Sequence, residues 1–161
     1  MALGDNTLQA ARGNQNPGRN PYMVQTTLNW ATALSDKGSA LAASDVVPVI
    51  AVPKGTMVMN AGIEVSTASD GSTFTVDLGM VDADVFVDGF DATSAAAVVA
   101  QNPAAYQPVM AVANDNIDVT IATLSGGAVT SGKFRVWAIL MDCTDMGNEG
   151  TADEVDRDLL A

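Results

Sequence analysis

The densest group of carboxylates in the chain lies between residues 81 and 91, and clustered carboxylate oxygens are ligands that calcium binds in proteins. Its members are Asp82, Asp84, Asp88 and Asp91. The spacing does not match an EF-hand loop, because Phe86 stands where a third ligand is needed and Gly89 comes too late. We therefore predict that these aspartates belong to a strand edge and a turn, and calcium binding by the first three is the alternative.

A second motif, from Gly127 to Lys133, fits the G-x-x-x-x-G-K pattern of a phosphate-binding loop. Its context is wrong for that function. Phe134 follows where Ser or Thr would reach magnesium, and the segment leads into a strand pattern instead of the helix whose N-terminus holds the phosphate. We predict a hairpin loop here.

The composition excludes most other chemistry. The chain has 161 residues, no histidine and one cysteine, Cys143, so it contains neither a Ser-His-Asp nor a Cys-His nucleophile, and no zinc site. Two of the aspartates could serve glycoside hydrolysis only in a cleft walled by aromatic rings, and the chain has just two Trp, two Tyr and four Phe. We predict a protein that is not an enzyme and uses no cofactor.

The net charge of −12 bears on the partners of the protein. Such a surface repels phosphate backbones and anionic lipids, so we predict no nucleic-acid partner and no membrane partner. Residues 1–45 contain three acidic and three basic residues, so the whole net charge lies in residues 46–161. The start of the chain lacks the features of a signal peptide, and the apolar runs are too short to span a bilayer, which predicts a cytosolic product.

The two ends of the chain differ from its middle. Residues 1–22 are rich in Asn, Gln, Gly and Pro without any helical or strand period, which predicts an extended N-terminal arm; a disordered tail is the alternative. Residues 143–161 predict a short acidic C-terminal tail. Residues 152–160 of this tail could form a helix with its apolar side chains on one side, and a solvated tail is the alternative.

Residues 23–142 predict an all-β body, because apolar and polar side chains alternate in short segments separated by turn residues. The predicted strands cover residues 24–30, 46–52, 57–67, 73–78, 85–87, 109–113, 117–124 and 134–141. Seven or eight short strands at regular spacing are typical of a β-sandwich, and we predict one of jelly-roll type.

Finer features of this body are also predictable. Residues 69–72, Ser-Asp-Gly-Ser, predict a hairpin whose glycine adopts a positive φ, and residues 114–116 predict a second tight turn. The odd-numbered side chains from Met57 to Val65 are expected to face the core. The one helix predicted within the body spans residues 91–101, with a loop as the alternative.

Five strand and turn motifs of the body carry a resemblance to a known family. They are Thr26-Thr-Leu-Asn-Trp30, Asp45-Val-Val-Pro-Val-Ile-Ala-Val-Pro-Lys-Gly-Thr56, Met57-Val-Met-Asn-Ala-Gly-Ile-Glu-Val-Ser-Thr67, Phe74-Thr-Val-Asp-Leu-Gly79 and Asp82-Ala-Asp-Val-Phe-Val-Asp-Gly89. Over about residues 23–142 the chain resembles small virion structural proteins of tailed bacteriophages, and it is most similar to capsid decoration, or cement, proteins.

The resemblance implies a homotrimer, made in the host cytoplasm, on the outer surface of a phage head. At threefold and quasi-threefold positions it would clamp neighbouring capsomers of the major capsid protein. We expect residues 1–45 to grip the capsid, because a neutral segment escapes the electrostatic repulsion of the acidic body. The capsid-binding residues expected in the arm are Arg12, Arg19 and Tyr22.

Two alternatives remain. Related sandwiches serve as tail or head-fibre components, and an adhesin module that binds carbohydrate is possible on a β-sandwich. An adhesin needs an exposed aromatic platform, whereas the strand patterns predict inward-facing rings for Trp30, Phe74, Phe134 and Trp137, which argues against carbohydrate binding.

Overall fold

The computed structural model describes residues 20–94 and 108–143, and these residues form eight strands and one short helix. In chain order the elements are β1 (Tyr22–Asn29), α1 (Trp30–Lys37), β2 (Val46–Val52), β3 (Thr56–Thr67), β4 (Thr73–Gly79), β5 (Val87–Asp91), β6 (Val109–Met110), β7 (Asp115–Ser125) and β8 (Lys133–Asp142). The predicted all-β class is confirmed. The described helix has eight residues, too few to cross a membrane.

The strands form two antiparallel four-stranded sheets, which confirms the predicted sandwich. The first sheet has the order β1-β8-β3-β6, and the second has the order β2-β7-β4-β5. Among the described strands, β4 and β5 are the one consecutive pair that shares a sheet. The segments 69–72 and 127–132 therefore connect strands of opposite sheets, and the two predicted hairpins are wrong.

The two crossing segments are joined by the side chain of Asp70. Its carboxylate accepts hydrogen bonds from the backbone N–H groups of Thr130 and Ser131, at 2.9 and 3.0 Å, and from the Thr130 hydroxyl. Gly71 has no positive φ, contrary to prediction; it leaves space, because a Cβ there would lie 2.8 Å from Cγ2 of Val129. Residues that favour a tight turn thus fasten one crossing loop to another.

A helix begins where the first strand was predicted to continue. The Asn29 side chain accepts from the Ala31 N–H and caps the helix, which starts at Trp30. Gly38 ends the helix in the left-handed conformation, with φ of 69°. Of the predicted helix at 91–101, Asp91 belongs to β5, and residues 95–101 lie outside the described residues.

The core lies between the sheets and is closed at one end by aromatic rings. Trp30 makes edge-to-face contacts with Phe74 and Phe134, at centroid distances of 5.0 and 5.4 Å. All three rings are buried, as predicted. Further along the strands the core is mostly aliphatic, with Phe86 as a further buried ring, and includes Val58, Ile63, Val76, Leu78, Ile117, Val119, Ile121 and Val136. Burying each large side chain of this kind stabilises the fold by about 1.5–3 kcal/mol.

A β-bulge changes the side-chain alternation of β3. Its register with β8 shifts between Val58 and Asn60, so one extra residue is inserted there. Val58 is fully buried, while Met57 and Met59 are only half-buried, so the prediction that these methionines face the core is wrong. Beyond the bulge the odd-numbered residues from Ala61 to Val65 are buried, as predicted.

Two other elements are shifted relative to prediction. The strand expected at 85–87 lies at Val87–Asp91. The turn expected at 114–116 comes earlier, because Asp115 and Asn116 already belong to β7 and pair with β2.

Replacing the carboxylate that joins the crossing loops should weaken the whole sandwich. We expect Asp70→Ala to lower the free energy of unfolding by about 1–2 kcal/mol, since it removes three hydrogen bonds to a charged carboxylate at an exposed site. The hydrogen bonds from the Thr130 hydroxyl and from the Thr130 and Ser131 N–H groups hold the pKa of Asp70 well below its usual range. Its stabilising effect should therefore be complete above about pH 4 and disappear as the pH falls further.

Urea denaturation of both proteins between pH 2 and 7 measures this. Asp36→Ala is the control, because Asp36 is an exposed aspartate of α1. Equal stability of the Asp70 and Asp36 variants at pH 7 would contradict the role of Asp70.

Candidate interaction surfaces

The outer face of the first sheet follows from the alternation along β8. Phe134, Val136, Ala138 and Leu140 are buried, so the residues between them point away from the core. Register pairs Trp137 with Gln25 of β1 and with Gly62 of β3, and pairs Met57 with Met141 on one side and Met110 on the other. We call this surface the methionine face; it comprises Met23, Gln25, Thr27, Met57, Asn60, Glu64, Met110, Lys133, Arg135, Trp137, Ile139 and Met141.

Trp137 lies on the outside of the sandwich, so the prediction that it faces inward is wrong. Its ring occupies the space above Gly62, where a Cβ would come within 2.6 Å of Cζ2 of the indole. The ring is half-buried on this glycine. The prediction that all four large rings face the core therefore holds for Trp30, Phe74 and Phe134 only.

The methionine face carries little net charge. Arg135 forms an ion pair with the Glu64 carboxylate, and Lys133 stands next to it on β8. Within the described residues, Glu64 is the one acid that the strand register places on this face. Met23 is 60% exposed and Met110 is 36% exposed, so apolar surface meets solvent at both edges of the sheet.

The outer face of the second sheet has the opposite character. Phe74, Val76 and Leu78 of β4 point inward, so Thr75 and Asp77 point outward. None of the four strands of this sheet contains a lysine or arginine. We call this surface the aspartate face; it comprises Asp77, Asp88, Asp91 and Asp118.

Two carboxylates of the aspartate face are held in unfavourable surroundings. Burial raises the pKa of Asp77, and the negative charges of Asp88 and Asp84 raise it further, against a 2.7 Å hydrogen bond from the Gly89 N–H. Burial also raises the pKa of Asp118, with a contribution from the charge of Asp115. Both groups therefore destabilise the folded protein when they are ionised at neutral pH.

The predicted calcium ligands lie at and near this face. Asp82 and Asp84 are in the loop before β5, and Asp88 is in β5 itself. In residues 20–94 and 108–143, no three side chains of His, Cys, Asp or Glu come close enough together to hold a metal ion. Asp91 instead accepts hydrogen bonds from the Thr93 N–H and hydroxyl, both below 3 Å. Calcium binding by Asp82, Asp84 and Asp88 stays an untested alternative.

The expected capsid-binding residues are only partly described. Arg12 and Arg19 lie outside the described residues. Tyr22 is the first residue of β1, at the edge of the first sheet, and is 44% exposed.

Gly127 to Lys133 leads into β8 with no helix, so the segment does not form a phosphate-binding loop. Cys143 is buried beside the end of β8.

Removing an unfavourable carboxylate from the aspartate face should stabilise the protein at neutral pH. We expect Asp118→Asn to raise the free energy of unfolding at pH 7 by about 0.5–1 kcal/mol, the size of surface electrostatic effects. The gain should vanish below about pH 4, where the wild-type carboxyl is protonated in both states. Thermal unfolding from pH 3 to 8, with Asp36→Asn as the charge-matched control, tests this, and a destabilised Asp118 variant at pH 7 would refute it.

The sequence matches no known protein family, and no curated protein matches it significantly. The structure is similar to a chain of the cyanophage Pam1 capsid asymmetric unit, with a TM-score of 0.58 and 14% identity over 78% of this chain and 87% of that one. It is also similar to a chain of the capsid of Ralstonia phage GP4, with a TM-score of 0.53 and 15% identity over 80% and 87% of the two chains. The described fold is thus shared with chains in two phage capsid structures.

Proposed function

We propose that this chain is a structural protein of a tailed-phage virion, and that it decorates the outer surface of the head. The observation that supports this most is the shared sandwich, which extends over more than three quarters of the chain in both phage comparisons. The motifs of residues 26–89 that resemble cement proteins support the same assignment. In this role the protein is not an enzyme and needs no cofactor.

We interpret the strand order as a jelly roll. The pairs β1–β8, β2–β7, β3–β6 and β4–β5 are all hydrogen-bonded neighbours. Such nesting of first with last strands results when one long antiparallel ribbon is wound into two facing sheets. Folds of this kind present loops at the ends and two outer sheet faces, and here the two faces differ in charge.

The proposed partners are the major capsid protein and further copies of this chain in a homotrimer. The neutral segment 1–45 approaches the shell, with Arg12, Arg19 and Tyr22 as its contacts, and the aspartate face points to solvent. Binding of this kind stabilises the assembled shell because the decoration protein binds assembled capsomers and not free subunits. A tail or head-fibre position is the structural alternative, and images of the virion distinguish the two.

One observation favours a second candidate function, carbohydrate binding. Trp137 lies on the outer surface beside Gln25 and near the Arg135–Glu64 ion pair, a mixture of ring and polar groups that suits a sugar. The apolar neighbours of this ring, Met23 and Ile139, are poor sugar ligands, since they donate no hydrogen bonds. Glycan-array binding that is lost in Trp137→Ala would establish this candidate over the structural one.

Deletion of the arm tests the decoration role. We expect a chain without residues 1–21 to stay folded with an unchanged oligomeric state, because the described strands begin at Tyr22, and to lose co-sedimentation with expanded capsids of its phage. Arg12→Ala/Arg19→Ala should weaken binding at least tenfold, while Lys54→Ala, an exposed lysine of the body, should not. Equal binding by the truncated protein would remove the arm from the proposal, and failure of the full chain to bind capsids would overturn decoration.

A further inference from the structure

We infer that the methionine face is the surface through which copies of this chain contact one another. The inference rests on the proposed self-association and not on capsid binding. It specifies which of the two outer sheet faces lies in the contact.

Apolar side chains cross the whole width of the first sheet. Met23 of β1 pairs with Ile139 of β8, and Met141, two residues further along β8, pairs with Met57, which pairs in turn with Met110. The apolar path therefore runs obliquely from the β1 edge to the β6 edge, beside Asn60, which pairs with Ile139 on β3. With strands about 4.8 Å apart, such a path spans about 15 Å. Contiguous apolar surface of this kind marks a contact site on a protein.

The charge distribution selects a second copy as the occupant. Two chains of net charge −12 repel each other, most strongly through the aspartate face, whose strands hold no lysine or arginine. On the methionine face the Glu64 carboxylate is neutralised by Arg135, and Lys133 adds a positive charge. Two copies that meet here bring together one further positive charge each, that of Lys133, whereas two aspartate faces would bring together four carboxylates each. Methionine side chains adapt readily to a contact of this kind.

The edge of the same sheet gives a second, independent reason. Exposed edge strands are normally protected from pairing by charges, proline or short length. β2 contains Pro48, β5 contains Asp88 and Asp91, and β6 has two residues. The eight residues of β1, Tyr-Met-Val-Gln-Thr-Thr-Leu-Asn, include neither a charge nor a proline. A neighbouring copy packed over Met23 would protect the β1 edge from pairing with other strands.

Mass measurements on the full chain test the inference. Light scattering should give about three times 16.5 kDa for the wild type, and 16.5 kDa for Met23→Glu/Met110→Glu. Val81→Glu/Val112→Glu adds the same charges at two more exposed positions, 75% and 78%, and should retain the wild-type mass. A monomeric wild type, or a methionine-face variant with unchanged mass, overturns the inference.

Tryptophan fluorescence of the wild-type protein on dilution is a second readout, which does not require the Met23→Glu/Met110→Glu variant to fold. Trp30 is fully buried and should report no change, while Trp137 should shift to longer wavelength as dilution separates the copies. Trp137→Phe should abolish this shift. If the emission instead stays constant on dilution and shifts only when residues 144–161 are removed, that segment covers the face and the inference is wrong.

Capsid binding is measured separately, so the two proposals fail in different ways. Self-association that is lost in Met23→Glu/Met110→Glu supports the inference even if no capsid is bound. Capsid binding by a wild type that remains monomeric at all concentrations supports decoration and overturns the inference.

Discussion

The packing of Trp30 against Phe74 and Phe134 is the contact on which the rest of this structure depends. Phe74 lies on β4 of the second sheet and Phe134 on β8 of the first, so the indole between them joins the two layers at one end. The indole Nε1 has no hydrogen-bond partner among the described residues, which costs about 1–3 kcal/mol. Packing, and not hydrogen bonding, must therefore hold the ring in this position.

This cluster also determines the two outer faces. Once Phe74 and Phe134 point inward, the period of two along a strand forces Thr75 and Asp77 outward on one side and Arg135 and Trp137 outward on the other. A slip of one residue in either strand would bury charge and expose the aromatic core. The composition of the aspartate face and that of the methionine face thus both follow from the same buried contact.

The strand alternation of β4 and β8 was predictable because each strand carries its own period. The same alternation in β8, with Phe134, Val136, Ala138 and Leu140 on one side, already implies that Trp137 points outward, so the outward position of this ring was predictable too.

The bulge in β3 and the crossing at 69–72 were not predictable. Asp70 acts on residues sixty positions away, and its local turn chemistry is the same in a hairpin as in a crossing. Helix α1 was missed because eight residues with one buried side chain show almost no helical period, although Asn29 and Gly38 are typical helix caps.

The fold places part of the negative charge of the body on one outer sheet face. The sequence divides into a neutral segment 1–45 and an acidic remainder, but the fold divides the body further, with opposite characters on the outer faces of its two sheets. A subunit that attracts its copies on one face and repels them on the other cannot stack indefinitely, because each added copy would have to approach an aspartate face. The proposed association through the methionine face would therefore end in a small closed assembly instead of a fibre. Such an assembly would keep the acidic faces outward, which is consistent with the proposed position on the outside of a phage head.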